Sequence, residues 1–157
     1  MRAGDDVAVR GLDGTVLYTG TFAGLRAARL DAGILLVLTR VGTQNSLWTV
    51  DVASGGRSGP WILPASRSAG DDVCGDPSGC RLAALRLADY QSGIAVYVAG
   101  RTVHLLRLSD RRNATIRAPG VGPVHAQLEP SGLFTSYSPA ASPGRGRVAF
   151  LPFGRLP

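Results

Sequence analysis

At 157 residues, 45% hydrophobic and 18% charged, the chain is long and apolar enough to build a core, which excludes a disordered tail. All 17 basic residues are arginine and the formal net charge is +6. Only Arg111 and Arg112 are adjacent, however, so the cations do not cluster as phosphate binding requires, and nucleic acid is not an expected partner.

No run reaches the ~20 apolar residues of a membrane helix, so no transmembrane segment is expected. Residues 1–6 have no apolar stretch of the kind a secretion signal carries. Glycine (21) and proline (10) are abundant, as many short strands joined by tight turns demand.

In chain order, short β-branched and aromatic segments alternate with Gly, Asn, Asp and Ser. Residues 7–10 and 15–18 read as strands around the turn Leu12-Asp13-Gly14. A strand at 25–30, a turn ending at Gly33 and a strand at 34–38 follow, then strands at 46–52 and 59–63 separated by Gly55-Gly56. An insertion beginning at Pro64 carries both cysteines.

The pattern then recurs. Strands at 82–87 and 94–98 flank Gly93, and strands at 102–108 and 113–116 flank a turn at Asp110. A third hairpin joins 124–128 to 133–137 through Gly132, and residues 147–151 form a last strand. Glycine closes each hairpin because that position often needs a positive φ. In this register Trp48 aligns with His104, and Asp51 with Arg107. The interval from Gly93 to Gly132 is close to the ~40–45 residues of a four-stranded propeller blade, and the longer interval before it contains the insertion.

The turn Leu128-Glu129-Pro130-Ser131-Gly132 is similar to the hydrophobic-Ser-Pro-Asp-Gly turn between the first two strands of TolB-like and WD-repeat propeller blades. Residues 47–55, running through Trp48 and Asp51 to Gly55, resemble their third strand. Ser131 stands where the family favours Asp, and Arg107 replaces the Asp in the next unit. The absence of a Gly-His/Trp-Asp pair makes TolB-like the better match. The resemblance implies an all-β, propeller-like array of four-stranded antiparallel blades over residues 1–157, three to four blades in all. A β-sandwich with evenly spaced strands is the alternative.

Propellers close with four to eight blades. The array is therefore expected to be completed by a second copy, or by an N-terminal half encoded before Met1.

Few residues point to chemistry. Cys74 and Cys80 enclose a Gly-Asp-Pro-Ser-Gly turn and are expected to form a small-loop disulfide, with free thiols as the alternative; a metal site would need more ligands. Such a bridge implies a place outside the cytoplasm, in the periplasm, the cell envelope or the medium, with the cytoplasm as the alternative. His125 at a strand start, Glu129 in the hairpin turn and Arg145 between Gly144 and Gly146 are the candidate ligand or partner contacts. His104, in an alternating strand, reads as packing.

No nucleophile elbow, P-loop or dinucleotide fingerprint occurs, and no cofactor or metal is implied. The expected function is a non-catalytic interaction scaffold with a protein partner. The alternative is the propeller domain of an exported glycan-active hydrolase or lyase.

Overall fold

The computed structural model describes residues 5–63, 85–119, 121–138 and 145–155. Among them the protein is all-β, with strands in four antiparallel sheets and one 3₁₀ turn at Phe153–Arg155. The chain divides into two compact units, residues 1–65 and 66–157.

The first unit holds β1 (Asp6–Arg10) and β2 (Val16–Thr21) as one sheet. Its second sheet is β3 (Leu25–Asp31), β4 (Ile34–Val41), β5 (Gln44–Asp51) and β6 (Arg57–Leu63). The second unit holds the sheet β7 (Arg86–Gln91), β8 (Ile94–Ala99), β9 (Thr102–Arg107) and β10 (Asn113–Arg117). It also holds the sheet β11 (Val121–Glu129), β12 (Gly132–Ser138) and β13 (Arg147–Pro152). In every sheet spatial order follows chain order. The strands form up-and-down meanders, without the sheet-to-sheet crossings of a Greek-key sandwich.

Most strands of the described residues fall on the short apolar segments between turn residues. Among the described residues β7 spans Arg86–Gln91, reaching past the expected 82–87 because Gln91 pairs with Ile94 across a two-residue turn. The first part of the strand expected at 82–87 lies outside the described residues.

The expected glycine rule holds at two hairpins and fails at the third. Ala32-Gly33 (φ 45° and 79°) and Ser92-Gly93 (φ 50° and 76°) both take the left-handed pair of a type I′ turn, whose twist matches that of the flanking strands. In the third hairpin, Glu129 pairs with Gly132 across Pro130-Ser131, and Gly132 has no positive φ. Its glycine answers a steric need instead. A Cβ there would run into the Leu151 carbonyl oxygen and stand 2.7 Å from the Phe150 ring.

A backbone hydrogen bond fixes the true correspondence between the sheets. The amide following the third strand donates to the hairpin carbonyl in each case: Val52 to Gly33 at 2.9 Å, Leu108 to Gly93 at 3.0 Å, and Phe153 to Ser131 at 3.2 Å. Ser131, rather than Gly132, thus occupies the place of Gly33 and Gly93.

The same correspondence explains Arg107. In the 51–56 turn, the Asp51 carboxylate accepts the Ser54 amide at 2.9 Å, and this hydrogen bond holds its pKa below the usual carboxylate value. In the 107–112 turn the carboxylate comes from within, where Asp110 accepts the Arg112 amide at 3.1 Å and pairs with the Arg107 guanidinium at 3.4 Å. The residues at positive φ, Gly55 (71°) and Arg111 (60°), coincide in the two turns.

Each unit buries a core between its two sheets. In the first, Leu35, Val37 and Val50 of the four-stranded sheet pack on Val9, Tyr18 and Phe22. We call this side face one; Trp48, which pairs with Val37, belongs to it. In the second unit Val124, Leu128 and Leu133 pack on Val96, Val98, Val103 and Leu105. Leu133 corresponds to Leu35 and so lies on face one of its sheet, whereas Val96 and Val98 correspond to Leu36 and Leu38 on the opposite side, face two. Both units therefore stack by the same rule: the later sheet offers face one to the sheet before it.

Candidate functional site

Strand alternation puts His125, Gln127 and Glu129 of β11 on face two of the last sheet, because successive side chains point to opposite sides. Cross-strand pairing brings Phe134 and Ser136 of β12, then Val148 and Phe150 of β13, onto the same side. Phe134 and Phe150 meet with ring centroids 4.7 Å apart. They and Val148 remain 39%, 43% and 70% exposed, respectively. A shallow hollow of about 470 Å³ lies here, and both His125 and Glu129 line it.

Glu129 Oε1 accepts a hydrogen bond from Gln127 Nε2 at 3.0 Å. Glu129 lies four residues beyond His125 along the strand, a span of about 13 Å. Proton transfer between them would need ~3 Å, so the two groups are separate contacts and not a relay.

Arg145 is exposed ahead of β13 and does not line this hollow. Cys74 and Cys80 lie outside the described residues. No group of three or more His, Cys, Asp or Glu that could hold a metal ion occurs among the described residues.

His104 is a packing residue. Its ring stacks on Tyr97 at 4.5 Å and 5°, and burial lowers its pKa, which favours the neutral imidazole. Its Nδ1 is buried with no hydrogen-bond partner. Burial pushes the Tyr97 phenol up to about 12, opposed by a side-chain hydrogen bond with Asn113.

The sequence reading used Trp48 only as a register mark and overlooked a cavity of about 380 Å³ on face one of β3–β6. Its walls include Phe22, Thr39, Ser46, Trp48, Arg57 and Pro60. Trp48 tilts against Phe22 with centroids 6.4 Å apart, and the Arg57 guanidinium carbon sits 4.4 Å from the Phe22 ring centre. Arg57 donates to the Tyr18 hydroxyl at 3.0 Å and to the Thr21 carbonyl at 3.3 Å. Trp48 Nε1 donates to Thr39 Oγ1 at 3.3 Å.

The β5–β6 register breaks between Leu47 and Thr49, so Gly59 and Pro60 together oppose Trp48. A Gly-Pro pair inside a strand is a bulge signal. It was the clue the sequence held to this site.

Comparison with protein-family models, curated proteins and solved structures returned no match.

Proposed function

We propose that the chain is a non-catalytic interaction scaffold built of propeller-type blades, and that face two of β11–β13 seats a second copy of the chain. One observation carries this reading. Face two of β7–β10, at Val96, Val98, Val103 and Leu105, is covered by the sheet that follows it, whereas the corresponding face of β11–β13 leaves Phe134, Val148 and Phe150 exposed. Repeat proteins gain stability from neighbour interfaces, and a repeat face left apolar and exposed favours association. The meander order of every sheet and the recurrent latch from third strand to hairpin support the blade-like repeat.

A second copy suits the face because its polar groups complement themselves, an imidazole N–H at one end and a carboxylate acceptor at the other. A two-fold axis running across the strands sets the imidazole of one copy opposite the carboxylate of the other, as an isologous contact requires. Light scattering over a concentration series tests the proposal. The wild type should associate, while Val148→Glu and Phe150→Glu should be monomeric with unchanged far-ultraviolet circular dichroism. A wild-type monomer that unfolds cooperatively at every concentration would overturn it.

A further inference from the structure

Within the first unit, we infer that the cavity over Trp48 binds a small ring compound bearing a single oxyanion, a carboxylate in the simplest case. This goes beyond protein association and uses none of the β11–β13 residues. The cavity's volume of about 380 Å³ is of the size that takes one substituted ring. Trp48 has already given its N–H to Thr39, so what it offers a ligand is an apolar ring surface. Phe22 adds a second ring. Arg57 is the only charged residue in the lining, and no carboxylate pairs with it among the described residues. Tyr18 and Thr21 take two of its five N–H donors, which leaves part of the planar fork for an anion. Ser46 and Gln44 place a hydroxyl and an amide in the same lining.

Comparison with the next four-stranded sheet separates this site from the demands of the repeat. The positions corresponding to Thr39, Ser46, Trp48 and Arg57 are Ala99, Thr102, His104 and Asn113. There the histidine stacks on Tyr97, the β9–β10 register runs without interruption, and no bulge interposes a proline. A sheet of this type therefore forms without the indole, the guanidinium or the bulge. All three converge on one cavity in the first unit, where the bulged strand carries both Arg57 and Pro60. Bulges of this kind re-aim side chains at sites.

Trp61→Phe leaves Trp48 as the reporting indole, and its fluorescence can be titrated with glucuronate and benzoate, each beside its uncharged counterpart, glucose and benzyl alcohol. At least one acid should quench or shift the emission with a Kd below about 1 mM, and its counterpart should bind at least tenfold more weakly. Which acid binds separates a sugar ring from an aromatic one. Arg57→Gln should erase the difference between acid and counterpart. If that variant fails to melt cooperatively, Arg57→Lys keeps the charge without the fork and should weaken only the acid.

Failure of both acids to bind, or equal binding of acid and counterpart, would overturn the inference. Repeating the titration on Phe150→Glu keeps the two proposals apart, since the acid should bind that monomeric variant unchanged.

Discussion

Arg111 holds the left-handed conformation at φ 60° in the turn where its counterpart is Gly55 at φ 71°. A side chain there crowds the following carbonyl at a cost of about 1–2 kcal/mol. Glycine removes that cost but loosens the unfolded chain by about 0.4–1 kcal/mol. Arg111 is exposed, and the bonds closing its turn run through Asp110, Arg107 and Arg112, so no contact offsets the exchange. Arg111→Gly should therefore stabilise the protein by about 0.5–1 kcal/mol. That corresponds to roughly 2–4 °C per kcal/mol in a chain of this size.

Two controls isolate the cause. Arg111→Ala removes the charge but keeps the Cβ, and should bring no comparable gain. Gly55→Ala should lose about 1 kcal/mol by the same reasoning in reverse, since a Cβ at Gly55 meets nothing within 4 Å and the penalty is conformational alone. Thermal and urea unfolding followed by circular dichroism measure all three variants. An Arg111→Gly protein that melts at or below the wild type would refute the reasoning.

Two further outcomes follow from the same structure, and a third from the sequence. Gly132→Ala should cost more than Gly55→Ala, about 2 kcal/mol or above, because its Cβ collides with backbone at Leu151 and with the Phe150 ring; equal losses in urea unfolding would contradict this. Burial depresses the His104 pKa, so its share of stability is present above about pH 6.5 and is lost as pH falls through that value towards the folded pKa; unfolding of His104→Phe should lack that slope, and an identical pH profile would remove His104 as its source. Mass measurement of the unreduced native protein should show Cys74 joined to Cys80, and two alkylatable thiols would exclude both the bridge and the export inferred from it.

The strands were legible as short runs of β-branched and aromatic residues cut by turn residues, and not by alternation, since the inner strands are buried on both faces, as at Leu35, Leu36, Val37 and Leu38. The turns were legible where chemistry and conformation coincide, as at Gly33 and Gly93. They misled where one residue type served two needs: Gly132 has the sequence appearance of a turn glycine and the structural role of a spacer. Arg107 looked like the loss of a capping carboxylate, since nothing along the sequence says that Asp110 will reach back to replace it. His125 and Glu129 share a side of β11 by alternation alone, but only the register of β11, β12 and β13 adds Phe134, Val148 and Phe150 to that side. The Trp48 cavity stayed hidden because its walls come from the β2–β3 turn and four strands, joined through a shift of register. Such a shift depends on pairing, which a linear pattern does not display.

The latch from Val52, Leu108 and Phe153 to Gly33, Gly93 and Ser131 involves no side chain. A main-chain bond tolerates almost any letter above it, so internal copies held this way are free to drift apart in sequence while keeping their geometry. Pro130-Ser131 can stand where Ala32-Gly33 stands, and His104 with Asn113 where Trp48 and Arg57 stand. Side chains at equivalent positions are thereby released from the duty of holding the sheet, and one sheet can carry an indole and a guanidinium where its neighbour carries an imidazole and an amide.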